Sequence, residues 1–306
     1  METPRDLAAL VHGLEYSDSA KVIEQLDALS IRVQRRMATI RHKVVVMSGK
    51  GGVGKSMTTV NLALGLARRG HRVGILDVDL NGPCVSAMLG MRDHRLELGP
   101  DGAVAAEGPL GIKIASMSFL IRPTEPVRWK GPMDLSPVWL GLQEMQVVRE
   151  LLSDVVWGEL DYLIADLPPG AAADKPPVIA GLIPDLAGAL FVTTPSEVAT
   201  EVVYKSIGYA RDLGIRVLGM VENMSGYRCP SCDQTHPLFR GDSQLLCDAL
   251  DLPLLGRVPF DPTLAETFDQ GKPLLDREHP TLRLYDQITE RVETLLDYRR
   301  FLSKEL

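Results

Sequence analysis

The sequence predicts an α/β fold, a mostly parallel central sheet with helices on both faces and a small hairpin insertion, and three observations predict it. Short apolar runs of strand length recur at 44–47, 73–76, 160–165, 189–193, 217–221 and 254–258, with helix-length segments between them. Most of these runs are continuous, not alternating, as strands covered on both faces are. The first run leads directly into a glycine-rich turn followed by a helical pattern. At 306 residues and 45% hydrophobic content, the chain can bury a core of that kind.

In chain order, residues 1–40 carry an uneven apolar stripe, Val22, Leu26, Leu29, Ile31 and Val33, ahead of Arg35 and Arg36, and read as an N-terminal helical appendage. Residues 41–278 hold the alternating strands and helices. Val44 to Met47 form the first strand, and Leu62, Leu64, Leu66 and Ala67 continue as a helix. The second strand, Val73 to Leu76, ends in Asp77-Val78-Asp79. Between Met91 and Leu120 the alternation breaks: Leu96-Glu97-Leu98, a Gly-Pro-Asp-Gly turn at 99–102 and the Ile112, Ile114 stretch predict a hairpin insertion. The third core strand, Leu160 to Ala165, ends in Asp166-Leu167-Pro168-Pro169-Gly170. Residues 279–306 close the chain with an amphipathic helix carrying Leu282, Leu284, Ile288, Val292, Leu295 and Leu296.

The turn after the first strand is a complete G-x-x-x-x-G-K-[ST] loop, Gly49 to Ser56, which makes the predicted fold that of a P-loop NTPase. A triphosphate needs many converging N–H donors, and Gly49, Gly51, Gly52 and Gly54 let the backbone curl that closely. The cradle runs from Gly49 through Val53 to Met57. Lys55 is placed for the β- and γ-phosphates, Ser56 for Mg²⁺, and the following helix adds its N-terminal dipole. Hydrolysis also needs carboxylates at neighbouring strand ends. Asp166 is assigned to the Mg²⁺ shell, through water, and Asp79 to the attacking water; Asp77 is read as a cap or a brace for the loop. Lys50 exceeds what the loop requires, and the residues by themselves favour reading it as a solvated loop lysine.

Cys229-Pro230-Ser231-Cys232 places two thiols for one metal, which is half of a zinc or iron–sulfur site. The missing ligands come from a second subunit, or from His236 and Cys247 in cis; redox chemistry and a plain loop are the other readings. Cys84 and Cys247 read as small buried hydrophobes. Lys and Arg number 33 against 40 Asp and Glu, a net charge of −7, which argues against a nucleic-acid-binding surface. Four cysteines predict a reducing, cytoplasmic setting. Glu2, Asp6, Glu15 and Asp18 interrupt the first 20 residues, so no secretory leader is expected, and no apolar run is long enough to span a membrane.

Nine ordered segments together resemble the Mrp/ApbC-type P-loop ATPases, iron–sulfur cluster carriers related to MinD and ParA. They are Ser48 to Ser56, Leu76 to Pro83, Trp129 to Pro132, Trp157 to Ile164, Asp166 to Gly170, Val192 to Pro195, Val221 to Ser225, Cys229 to Cys232 and Val258 to Pro262. The resemblance implies that Asn223 reads the adenine edge and that Lys50 crosses a dimer interface to the partner's nucleotide. It further implies that Cys229 and Cys232 of two subunits hold a bridging 4Fe-4S cluster. The implied partners are an identical or related subunit, a cluster scaffold and recipient apo iron–sulfur proteins. Two rival readings are a partitioning or positioning ATPase, which would bind DNA or membrane, and an ATPase with a structural zinc at the dimer interface. Ala171-Ala172-Ala173-Asp174 departs from the family's usual Thr-Gly-Asp, so slow or differently regulated hydrolysis is expected. Phe239-Arg240-Gly241-Asp242 replaces a glycine-rich stretch.

Overall fold

The computed structural model describes residues 19–79, 82–119, 137–170, 175–229, 231–232, 234–276 and 278–302. In chain order these form α1 (Ser19–Met37), β1 (Ile40–Met47), α2 (Lys55–Arg68), β2 (Val73–Asp77), α3 (Val85–Met88), β3 (Glu97–Gly99), β4 (Gly102–Val104), β5 (Ala106–Glu107) and β6 (Lys113–Ser116). Then come α4 (Pro137–Asp154), β7 (Val155–Val156), β8 (Leu160–Asp166), α5 (Lys175–Ala180), β9 (Leu186–Thr193), α6 (Glu197–Asp212) and β10 (Val217–Arg228). The chain closes with β11 (Thr235–His236), α7 (Ser243–Leu250), β12 (Leu254–Phe260), α8 (Pro262–Asp269) and α9 (Pro280–Leu302). The segments 129–132 and 171–174, the N-terminal part of the 1–40 appendage and residues 80–81 of the Leu76 to Pro83 motif lie outside the described residues.

The main sheet runs β11-β10-β9-β1-β8-β2-β6-β5, with β12 also paired to β10. Only the edge pairs β10 with β11 and β5 with β6 are antiparallel. The strand carrying the P-loop, β1, sits between β9 and β8, so the loop leaves the carboxyl end of a central strand, where ligands of open parallel sheets bind. The continuous apolar runs follow from burial on both faces. Val45 and Met47 point into one core with α1, α4, α5, α6 and α7, while Val44 and Val46 point into the other with α2, α8 and α9.

The insertion between β2 and β8 differs in part from expectation. The turn at 99–102 does join an antiparallel hairpin, β3 with β4, which β7 extends into a separate three-stranded sheet. The Ile112, Ile114 stretch instead belongs to the main sheet: β6 lies parallel to β2, with Ile112 and Ile114 fully buried beneath it. The expected hairpin is there as well, since β6 pairs antiparallel with β5, but it is built into the edge of the main sheet, where Lys113 is half-exposed.

Two terminal helices complete the layers. Leu29, Val33 and Met37, spaced by four, bury the described part of α1 against α4, whereas Ile31 faces solvent. Arg36 fixes the contact by donating to the carbonyls of Ser153 and Asp101. The buried Lys43 amine donates to the carbonyls of Met37 and Ile40 at 3.3 Å each, and burial lowers its pKa. On the other face α9 buries Leu282, Tyr285, Ile288, Val292 and Leu296 across α2 and β12. A Cβ on Gly65 would lie 2.4 Å from the Thr289 hydroxyl, so glycine lets α2 and α9 cross this closely.

Candidate nucleotide site and cysteine hairpin

The P-loop begins where β1 ends and finishes at the first turn of α2. Its left-handed residues are Gly52, φ +77°, and Gly54, φ +85°. At Gly54 the demand for glycine is twofold, since an added Cβ would also fall 2.0 Å from the Asn223 amide nitrogen. That nitrogen donates to the Val53 carbonyl at 2.9 Å from a buried position on β10. Asn223 therefore stands at the phosphate loop, as a brace of its backbone, inside a strand that runs seven residues beyond the apolar stretch ending at Val221.

The end of β8 meets the loop from the other side. Asp166, fully buried, accepts from the Ser56 hydroxyl at 2.5 Å and the Thr59 hydroxyl at 2.8 Å, and its carboxylate pairs with the Lys55 amine at 2.8 Å. Lys55 also donates to the Ser56 hydroxyl at 3.3 Å. The chain beyond Asp166 is tied to the P-loop strand: Leu167 N–H donates to Val46 O and Gly170 N–H to Ser48 O, each at 3.2 Å. Ser56 and Asp166 together are hard oxygen donors within one bond of each other, a set that fits Mg²⁺. Buried beside the loop, the Ser48 hydroxyl has no hydrogen-bond partner among the described residues.

Asp77 bonds not to the P-loop but to the segment between β2 and α3 and to β6. Fully buried, it accepts from the N–H groups of Asp79 and Val85 and from the Ser116 hydroxyl, at 3.2–3.3 Å. Burial, then the neighbouring Asp166 charge, pushes its carboxyl up to about 8. Asp79 accepts from Gly82 N–H at 3.1 Å, which turns its carboxylate back over its own loop. Lys50, half-buried, makes no side-chain hydrogen bond or ion pair to any described residue.

Thr59 and Cys84 are site residues that sequence reasoning missed. Thr59 lies one helical turn after Lys55, a spacing that puts its hydroxyl on the same face. Cys84, read as a small hydrophobe, stands partly buried at the start of α3, and burial, with the Asp77 and Asp166 charges adding to it, pushes its thiol up to about 11. Its place directly after the loop that Asp77 anchors was the available signal.

The cysteine pair sits at the tip of the hairpin joining β10 to β11. Tyr227 pairs with His236 and Arg228 with Thr235, and Cys229 N–H donates to Gln234 O at 2.9 Å. Cys232 is exposed and Cys229 partly so. Hydrogen bonds from the Cys232 and Ser231 backbone hold the Cys229 thiol below its usual range, which favours the ligating thiolate. The His236 ring nitrogen is 3.8 Å from the Cys232 sulfur. Cys247, the other ligand considered in cis, is not grouped with the pair: its thiol is fully buried, 4.0 Å from the Met220 sulfur, and burial pushes it up to about 11. Among the described residues no three His, Cys, Asp or Glu side chains are arranged to hold a metal ion.

A glycine cradle at the carboxyl end of a central parallel strand, a lysine and serine at the helix start and a buried aspartate on the adjacent strand define a P-loop NTPase. The sequence model of the family described as "ParA: NUBPL iron-transfer P-loop NTPase" matches residues 39–293, and the chain belongs to that family. An "Iron-sulfur cluster carrier protein" of Saccharolobus solfataricus is 41% identical over 92% of each chain. The human "Cytosolic Fe-S cluster assembly factor NUBP2" is 38% identical over 85% of this chain and 94% of its own. Among solved structures, the Archaeoglobus fulgidus nucleotide-binding protein in complex with ADP is similar with a TM-score of 0.70 and 33% identity, covering 83% of this chain and 95% of that one. Aquifex aeolicus MinD, with a TM-score of 0.57 and 18% identity over 83% of this chain and 97% of its own, shares the fold. No helix among the described residues is long and apolar enough to cross a membrane.

Proposed function

We propose that this NTPase is an ATP-dependent iron–sulfur cluster carrier that works as a dimer and delivers its cargo to recipient apo proteins. What supports it most is the hairpin itself: two accessible thiols, one favoured as thiolate, with no further ligand set among the described residues. Such a half-site fits a 4Fe-4S cluster held by Cys229 and Cys232 of each of two subunits. The names of the archaeal and human relatives point to the same cargo. The second subunit is an identical copy or a related ATPase, and the cluster arrives from a scaffold protein. The setting is cytoplasmic, as the human relative's name has it.

In this reading residues 41–278 are the ATPase unit, with the helical segment 1–40 and the closing helix 279–306 as its flanks. The backbone from Gly49 to Met57 holds the phosphates, and Lys55 exchanges its Asp166 partner for the β- and γ-phosphates. Ser56, with Asp166 through water, holds Mg²⁺, which neutralises phosphate charge during hydrolysis. Asp79 orients the attacking water after turning out of its loop, Asn223 meets the adenine edge while bracing Val53, and Lys50 reaches the partner subunit's nucleotide. Hydrolysis shifts the segment 166–170 and with it the dimer interface, so that the nucleotide state governs cluster retention.

Anaerobic reconstitution with iron and sulfide tests the proposal. The expected result is brown protein with about one four-iron cluster per two chains. Loss of the cluster in Cys229→Ala and Cys232→Ala is expected alongside unchanged nucleotide binding. Normal cluster content in Cys229→Ala would refute the site, and zinc without iron in protein purified without oxygen would replace the cargo by a structural staple.

A further inference from the structure

The nucleotide site and the cysteine hairpin share one strand. β10 carries Asn223, whose amide is bonded to the P-loop carbonyl of Val53, and six positions later it delivers Cys229 to the hairpin tip. Between them the strand is irregular. Asn223 pairs with Val258 and Tyr227 with Phe260, so β10 takes four steps where β12 takes two. The surplus is absorbed at Met224, which holds φ at +55°, a left-handed conformation that side-chain-bearing residues rarely adopt. Such geometry persists where the surroundings on both sides impose it, and a bulge lets a strand bend or rotate while the ladders flanking it stay intact.

Both flanks are held. On the P-loop side Asn223 is pressed so close to Gly54 that no Cβ fits between them. On the hairpin side a Cβ on Gly226 would meet the Thr235 methyl at 2.6 Å and the His236 carbonyl at 2.8 Å, and the Tyr227 ring packs on Phe260 with centroids 6.4 Å apart. A shift of the Val53 carbonyl as phosphates fill the loop is therefore carried by the Asn223 amide into β10, and the piece beyond the bulge is fastened to the cysteine-bearing hairpin.

We infer that β10 is the link through which nucleotide occupancy reaches the Cys229–Cys232 hairpin, with the left-handed bulge at Met224 as its positioning joint. The inference rests on the carrier reading only for what the hairpin holds.

Hydrogen exchange of hairpin peptides spanning 225–237, in the metal-free full chain with and without Mg-ADP, tests it. In the wild type, exchange of these amides changes by about fivefold or more on nucleotide binding, the low end of inter-site couplings. Met224→Gly keeps the left-handed angle accessible while removing the stiffness. It binds Mg-ADP as the wild type does, yet its hairpin response falls to within about twofold of none, below the range of typical coupling. Met224→Asn, which tolerates the left-handed region with a side chain in place, retains the response. A full response in Met224→Gly, or loss in both variants at unchanged nucleotide affinity, overturns the backbone link. A wild-type hairpin indifferent to bound nucleotide also overturns it while leaving cluster reconstitution, and so the carrier reading, standing. A responsive hairpin that assembles no cluster keeps the link and removes the carrier reading.

Discussion

Replacing Asp166 by asparagine should weaken the nucleotide-free protein more than any single surface change, because among the described residues the carboxylate is the only negative partner of the Lys55 amine. Both groups are buried, Lys55 at 6% and Asp166 at 0% side-chain exposure, so solvent does little to screen the pair. Removing one member of a buried ion pair typically costs about 3–5 kcal/mol, since the survivor is left charged and desolvated. Asparagine keeps one oxygen for the Ser56 or Thr59 hydroxyl, which puts the expected loss near the lower end, about 3 kcal/mol. At roughly 2 °C per kcal/mol for a chain of this size, the midpoint falls by about 6 °C. Urea and thermal unfolding of Asp166→Asn, Lys55→Met and the double variant measure it. The double variant should lose less than the sum of the singles, by about 1–3 kcal/mol, because neither charge is then stranded. Saturating nucleotide should narrow the gap for Asp166→Asn, since phosphates give Lys55 a new partner. A loss below about 0.5 kcal/mol, the range of an ordinary surface change, or strict additivity, would refute the reasoning.

Gly54→Ala should weaken nucleotide binding by more than about tenfold, because the left-handed penalty of about 1–2 kcal/mol is joined by a clash with the Asn223 amide. Gly52→Ala, also at positive φ but with nothing within 4 Å of its Cβ, should lose less in the same fluorescence titration. Asp77 gives a pH test. Its folded pKa of about 8 exceeds the unfolded value near 4, so the folded state keeps a proton that the unfolded state releases. The stability it contributes is complete below about pH 4 and lost as pH rises toward about 8, by at most about 1.4 kcal/mol per unit. Urea midpoints of the nucleotide-free wild type should fall across that range more steeply than those of Asp77→Asn; parallel curves would mean that Asp77 is ionised throughout.

The parts of the fold governed by local pattern were legible in the sequence. Continuous apolar runs marked strands covered on both faces, and the glycine spacing at 49–56 fixed the loop that follows β1. Packing-dependent features were not. Ile112 and Ile114 alternate like a solvent-facing strand, yet β6 is drawn into the main sheet by its pairing with β2, a long-range choice that the local pattern does not encode. Ile31 sits in the apolar stripe of α1 but faces solvent, because the buried face follows the four-residue spacing of Leu29, Val33 and Met37. In the site, Lys55, Ser56 and Asp166 meet as their motifs imply. The Asn223 contact to Val53, the Thr59 bond and the position of the Cys84 thiol depend on how β8, β10 and the loop before α3 converge, and no single motif spans those elements.

Without nucleotide, the groups assigned to phosphate and metal satisfy one another. Lys55, Ser56 and Thr59 all close on Asp166, so a buried charge is never left unpaired and the loop stays folded. On the proposed function, binding is an exchange of partners: the amine would pass from carboxylate to phosphate, and the Ser56 hydroxyl would be released toward a cation. Such an exchange must disturb Asp166, and Asp166 heads a segment tied to the P-loop strand through Leu167 and Gly170. On the opposite side the Val53 carbonyl is tied to Asn223. Occupancy of one loop therefore pulls on two strands at once, β8 toward 166–170 and β10 toward the cysteines, and a single substitution at Asp166 should leave the second route intact. Mg-ADP should still alter hairpin exchange in Asp166→Asn at concentrations that saturate it, and a silent hairpin there would mean that the two routes are one.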